Sequence, residues 1–198
     1  MLGIFLDTET NGLDAKKHKI LEIAFRVIDL NTGRLIDQFE SIISINQHDW
    51  KESDLVSLKV SGITWDETRR GDSIENAAKK VEALFKKHRL IRGEAVFICQ
   101  NPSFDRAFFS QIFDIPLQEK LYIPYHWLDL ASMYFGIMME RAKKGSSPLP
   151  WQTGFTKDKI AGFFQLKPEK QPHRAMNGVD HLVECYEALV GFPQKAHV

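Results

Sequence analysis

The chain has 198 residues, enough for one α/β domain, and its 43% hydrophobic content excludes a disordered chain. Lys plus Arg and Asp plus Glu both number 26, so a net charge of zero excludes a strong global pull on nucleic acid but leaves a local basic patch open. No stretch approaches the ~20 apolar residues that span a bilayer, the start lacks a signal peptide's basic region, and Cys99 and Cys185 stand in apolar contexts without CxxC spacing, so buried free thiols and a reducing cytoplasm are expected.

Residues 2–8 read as a first strand: a continuous apolar run, as in strands buried on both faces, that ends in Asp7 and Glu9. Asn11-Gly12 supplies a turn. Residues 20–29 alternate, with Leu21, Ile23, Phe25 and Val27 on one face, and Asn31-Thr32-Gly33 turns the chain into a third strand over 34–44. A short helix is predicted over 53–60, ending near Ser61-Gly62. A longer one over 73–88 is capped by Asp72 or Ser73 and carries Ile74, Ala77, Val81, Leu84 and Phe85 at helical spacing. AVFIC (95–99) is a short buried strand. Helices follow over 103–113, 127–142, 157–165 and 179–190, and KKGSSPLPWQTG (143–154) reads as an exposed loop. No repeat or linker divides the chain, so residues 1–198 read as one domain. Three hairpin-linked strands followed by strand–helix units imply a mixed sheet with helices on its faces.

Side chains two apart in a strand point the same way, so Asp7 and Glu9 lie side by side at the C-terminal end of strand one. Ligands gather at that edge of an open α/β sheet. The two charges repel and resist losing water, and something must compensate them. Asp105 lies in the first helical turn after the 95–99 strand. It is either an ordinary helix N-terminal acid or a third member of the group. His173 lies in a loop before the last helix, and Asp180 enters that helix; a capping or surface role is the bland alternative for His173. Three or four carboxylates at one sheet edge make a hard, oxygen-rich site suited to Mg²⁺ or Mn²⁺. Two such ions ~3.5–4 Å apart can hold the attacking and leaving oxygens of a phosphoryl displacement. A nearby His is suited to take a proton from the attacking water.

These residues resemble the motifs of the DEDDh 3′–5′ exonucleases, the group containing the proofreading ε subunit of DNA polymerase III, exonuclease X, ribonuclease T and oligoribonuclease. LDTETNGLD (6–14) looks like the first motif, NPSFDRAFF (101–109) the second and PHRAM (172–176) the start of the third. VSGIT (60–64) resembles the segment before the family's long helix, with Ser61 where a His is usual. The resemblance implies a ribonuclease H-like fold with a mixed five-stranded sheet. It implies Asp7, Glu9 and Asp105 as metal ligands, His173 as general base and two Mg²⁺ or Mn²⁺ ions. The family's fourth acid comes five residues after the His, where this chain has Gly178; its first acid is Asp180. Either Asn177-Gly178 is an inserted turn that lets Asp180 take the metal position, or the helix aligns without a gap and the acid is missing. Asn-Gly favours a turn and Gly disfavours helix, so the inserted turn is the expectation.

By the same resemblance, the expected reaction is metal-dependent hydrolysis of the terminal phosphodiester at the 3′ end of single-stranded DNA or RNA, releasing nucleoside 5′-monophosphates. Thr8 and Thr10 would touch the last nucleotide, Leu13 would wedge against its base, and Asn101 and Phe109 would neighbour the next. Leu13 and Phe109 read equally well as core. The basic clusters at 16–19, 86–89 and 141–144 either guide phosphate or are solvated surface. A DNA polymerase is a candidate partner. The alternatives are a weakened binding module of the same fold and an RNA-trimming exonuclease.

Overall fold

The computed structural model describes residues 1–194. Its sheet contains β1 (Leu2–Thr10), β2 (Ile20–Asp29), β3 (Leu35–Ile42), β4 (Ala95–Cys99) and β5 (Trp127–Asp129), in the order β3-β2-β1-β4-β5. β1 pairs antiparallel with β2, and β2 with β3, while β4 runs parallel to both β1 and β5. Three antiparallel strands therefore give way to parallel ones, as the sequence predicts, and β1 is the central strand. Between β3 and β4 lie α1 (Gln47–Lys51), α2 (Leu55–Ser61), α3 (Trp65–Arg70) and α4 (Ile74–His88). α5 (Pro102–Phe109) and α6 (Ile115–Lys120) follow β4. After β5 come α7 (Leu130–Lys143), α8 (Pro150–Thr153), α9 (Lys157–Phe163) and α10 (Ala175–Leu189).

The apolar run of β1 feeds two cores. Ile4 and Leu6 pack with Phe25, Val27 and Phe97 of neighbouring strands and with Val81 and Phe85 of α4. Phe5 points the other way, into a cluster with Ile98, Tyr134 of α7, and Leu182, Cys185 and Tyr186 of α10. Each such side chain contributes about 1.5–3 kcal/mol when fully buried. The alternation carries on to the end of the strand, so Asp7 and Glu9 share the face of Phe5, the face that α10 covers.

Several elements differ from the sequence reading. Trp127–Asp129 opens no helix but forms β5, the edge strand. Trp127 stacks on Phe97 with ring centroids 3.9 Å apart, and Asp129 caps α7 by accepting from the backbone N–H groups of Ala131 and Ser132. The 103–113 helix ends at Phe109, the loop 143–154 contains α8, and α1, α3 and α6 are helices that the sequence pattern does not predict. The last helix begins at Ala175, not 179. Its start is fixed from outside. Glu22 of β2, 1% exposed, accepts from Arg174 Nε at 3.1 Å, Arg174 Nη2 at 2.9 Å and the backbone N–H of Ala175 at 2.9 Å. Arg174 also reaches Glu67 of α3 at 3.0 Å. Glu22 stands directly opposite Glu9 across the β1–β2 ladder, a like-charged pair that is unfavourable unless compensated, and the guanidinium of Arg174 compensates it.

Removing one partner of a buried pair leaves the other charge uncompensated. Arg174→Met is expected to cost about 3 kcal/mol, read as a fall of about 10 °C in Tm by thermal denaturation. Cys99 and Cys185 are free and buried, as expected. Burial pushes the Cys185 thiol up to about 12 and Cys99 well above its ordinary value, so almost no thiolate forms near neutral pH. Both cysteines should resist iodoacetamide in the folded chain at pH 8 and react once it is unfolded in guanidinium, followed by mass spectrometry.

Candidate active site

β1 delivers Asp7 and Glu9 to one side of its C-terminal end. β4 ends two residues before α5, which begins with Pro102 at a position where the missing N–H costs nothing. Asp105 lies in the first turn of α5, only 3% exposed, and accepts a 2.9 Å hydrogen bond from the Thr8 hydroxyl. With the start of α9 and the loop before α10, these residues line a cleft of about 300 Å³.

Two residues that the sequence reading did not single out complete the cleft. Lys157 opens α9 and is 12% exposed. Its Nζ lies 2.9 Å from Glu169 Oε2, 3.1 Å from the carbonyl oxygen of Gly178 and 3.5 Å from Asp7 Oδ1. Glu169, in the loop after α9, directs its other oxygen, Oε1, to His173 Nδ1 at 3.0 Å. A carboxylate only accepts, so Nδ1 carries the proton and Nε2 keeps its lone pair, which faces the Gln171 amide nitrogen at 2.8 Å. The backbone N–H of His173 donates to Val60 at the end of α2. Next in the chain, Gly62 adopts φ 65°, and a Cβ on it would meet Pro172 at 3.0 Å. Glycine there lets the His173 loop settle on α2. Glu169 offers little sequence signal: it is a loop acid four residues before a His.

The electrostatics are dominated by desolvation. Burial, with the charges of Asp7 and Glu22, pushes Glu9 up to about 9. Burial raises Asp7 to about 6 against the opposing charge of Lys157. Burial and the Asp7 charge hold Asp105 well above the usual carboxylate range. Burial alone would raise Glu169, but His181 at 3.7 Å and the Lys157 ammonium bring it down to about 2. Burial alone would also discharge Lys157, yet Asp7 and Glu169 outweigh it and hold the ammonium charged. The cleft thus stores negative charge that asks for protons or cations.

Of the sequence-predicted residues, Asp7, Thr8, Glu9, Asp105 and His173 come together here. Asp180 does not. The turn expected at Asn177-Gly178 is absent: Gly178 N–H donates to Arg174 O at 3.0 Å in continuous helix. Two residues beyond Gly178, Asp180 falls on another face and pairs with Arg26 Nε at 2.6 Å. Gly178 itself faces the cleft. A Cβ there would lie 2.2 Å from Asp7 Oδ2 and 3.1 Å from Lys157 Nζ. The Glu22–Arg174 anchor and the burial of Val179 and Leu182 outweigh the weak helix propensity of Asn-Gly. Phe109 takes the core alternative: it is fully buried among Phe97, Phe113 and Trp127. Phe104, one turn earlier, is the α5 aromatic that lines the cleft. Leu13 is 75% exposed. The Thr10 hydroxyl donates to Gly12 O, and Asn101, with φ 57°, begins α5 at the surface. The basic cluster at 86–89 is engaged by local acids, with Lys86 on Glu82, Lys87 and His88 on Asp37, and Arg89 near Glu94.

Residues 4–184 match the exonuclease family model RNase_T. The chain belongs to the exonuclease family. The chain is 29% identical over 107 positions to the PolC-type DNA polymerase III of Halalkalibacterium halodurans and 30% identical over 107 to that of Bacillus cereus. Each alignment covers 54% of this chain but 7% of the polymerase, so the chain corresponds to a small part of those relatives. In fold it is similar to cell-death related nuclease 4, with TM-score 0.71 and 12% identity over 96% of this chain and 63% of that one. It is also similar to E. coli exonuclease I in complex with a dT13 oligonucleotide, with TM-score 0.70 and 17% identity over 98% and 41% of the two chains. These likenesses fit the ribonuclease H-like sheet.

Alanine is a better helix former than glycine by about 1 kcal/mol, yet at 178 its methyl group displaces Asp7. Gly178→Ala is expected to keep Tm within a few degrees while lowering nuclease turnover by about 10²-fold, because misplacing a reactive group by about 1 Å costs that much. Parallel thermal denaturation and oligonucleotide assays check this.

Proposed function

We propose that the chain is a metal-dependent 3′–5′ exonuclease that hydrolyses the terminal phosphodiester of single-stranded or frayed nucleic acid to nucleoside 5′-monophosphates. The observation that supports this most directly is the convergence of Asp7, Glu9 and Asp105 with the His173–Glu169 pair in one cleft. Exonucleases of this family generally use divalent metal ions. Among the described residues, no three acidic, His or Cys side chains already close round an ion, since Asp7 Oδ1 turns to Lys157 and Asp105 Oδ1 to Thr8. The donor chemistry nevertheless fits: three carboxylates on the same cleft are oxygen ligands of the kind Mg²⁺ and Mn²⁺ take, and their raised affinity for protons is one a cation would relieve. Asp7, Glu9 and Asp105 would hold such an ion, which when bound supplies Lewis acidity and stabilises negative charge on the reacting phosphate.

The protein's own groups supply the rest. Glu169 fixes the His173 tautomer so that Nε2 can take the proton of the attacking water, once the Gln171 amide yields its place. Thr8 holds Asp105 in position. The exposed Leu13 would press against the terminal base, and Phe104 would offer a face for stacking of the next, tolerant of base identity and favouring unpaired strands. The backbone at Thr8 and Thr10 and the surface of Asn101 border the same end of the sheet. Exonuclease I in complex with a dT13 oligonucleotide and the PolC-type polymerases make single-stranded ends the first substrate to test and a DNA polymerase the first partner.

The glycine at 178 favours one second reading, a weakened module of the same fold that holds nucleic acid without cutting it. A 5′-labelled oligonucleotide with a free or phosphate-blocked 3′ end separates the two. Stepwise shortening of the free end alone, dependent on Mg²⁺ or Mn²⁺ and stopped by EDTA, is expected; binding without shortening would establish the second reading. Asp7→Ala, Glu9→Ala and Asp105→Ala should each lower the rate by at least about 10²-fold. His173→Ala should lower it by about 10²–10⁴-fold with divalent-ion affinity nearly unchanged in calorimetry.

A further inference from the structure

The position that the family resemblance assigns to a fourth acid is neither empty nor acidic. It is a glycine whose missing side chain leaves room for Asp7 and Lys157, and the ammonium of Lys157 bonds to the carbonyl of that same glycine. Resting on the metal-dependent reading above, we infer that this cleft binds one divalent ion, and that the Lys157 ammonium, clamped by Glu169, supplies the second positive charge as a fixed part of the protein.

Three observations carry this. The first is ligand supply. A second ion on the α10 side of Asp7 needs carboxylates there, and both nearby candidates are engaged elsewhere. Asp180 is turned to Arg26 at 2.6 Å. Glu169 has one oxygen on His173 and the other on Lys157. The second is space. Asp7 Oδ2 stands where a side chain at 178 would begin, 2.2 Å from the ideal Cβ position, with Lys157 Nζ 3.1 Å from it. The third is charge. A divalent ion beside Asp7 on that side would face an ammonium across a short gap in a buried setting, where like charges repel far more than in water. Lys157 is itself nearly buried and tied to two carboxylates and a carbonyl, so it cannot swing into solvent without stranding Glu169 and Asp7.

A fixed ammonium differs from a metal ion in what it can do. It donates hydrogen bonds and stabilises negative charge but offers no coordination site to activate a water, which leaves proton abstraction to His173. Lys157 is a positioning residue for Asp7 here, and its role is read out by ion count.

The test is the number of Mn²⁺ ions bound by the purified full chain, measured by isothermal titration calorimetry and by electron paramagnetic resonance, in which two ions at close range broaden each other. One ion per chain, without pair broadening, is expected. In Lys157→Ala, which removes the ammonium and frees Asp7 Oδ1 and Glu169 Oε2 to act as ligands, two ions with pair broadening are expected. Circular dichroism confirms its fold, and if it does not fold the native stoichiometry decides alone. The same variant should lower kcat by about 10²-fold, because Asp7 loses the contact that positions it. Two ions in the native chain would overturn the inference and leave the metal-dependent reading standing. No bound ion at saturating Mn²⁺ would overturn both.

Discussion

Burying several carboxylates in one place is the constraint around which this molecule is arranged. Asp7 and Glu9 are placed by the same alternation that sends Phe5 into the core, so they cannot leave the edge without undoing the strand. Asp105 adds a third buried acid, 3% exposed, and Glu22 faces Glu9 across the ladder. Isolated charges of this kind cost several kcal/mol each when taken from water. The fold meets that cost with two cations. Arg174 neutralises Glu22 and Glu67 at the start of α10, and Lys157 stands between Asp7 and Glu169. The remaining excess negative charge, on Glu9, Asp7 and Asp105, is open to the cleft. A cation there completes a balance that the protein leaves unfinished.

The two cations also do mechanical work. Arg174 ties β2, α3 and the first turn of α10 together, which decides where α10 starts. Lys157 ties the first turn of α9 to the first turn of α10 through the Gly178 carbonyl. The relative placement of β1, α9 and α10 is thus set by the same groups that set the charge balance, and a change in one disturbs the other.

Much of this was legible in the sequence because it follows from periodicity. A run buried on both faces, two acids at spacing two, a strand–loop–helix with an acid in the first turn, and a His before the last helix can each be read locally. The misses share a cause, which is that the deciding partner is distant. Trp127–Asp129 is too short to show a strand pattern and is held by stacking on Phe97 and by pairing with β4. Asn177-Gly178 has turn chemistry, but an arginine three residues earlier, bound to a glutamate 152 positions away, holds it in helix. Phe109 is a substrate contact only by the family resemblance, and it completes an aromatic cluster assembled from β4, β5 and the turn after α5. Lys157 and Glu169 look like ordinary surface charges until α9 and its following loop are folded back over β1. Gly178 is a local departure from the family motif, but its sequence context points to an inserted turn and not to the continuous helix that the structure has.

Glu169 shows how closely the parts are coupled. Its two oxygens serve different purposes: Oε1 sets the protonation pattern of His173, and Oε2 keeps Lys157 against Asp7. A shared carboxylate of this kind cannot turn to improve one contact without weakening the other, because the two oxygens lie on one rigid plane. The orientation of His173 and the position of Asp7 therefore move together. Charge gained at one end of the cleft is felt at the other through a single side chain that is itself 4% exposed. Burial makes that coupling strong, since a solvated glutamate would be screened within a few ångströms by water and salt. Burial by itself would raise the proton affinity of Glu169, and its contacts with His181 and the Lys157 ammonium bring it down to about 2 instead.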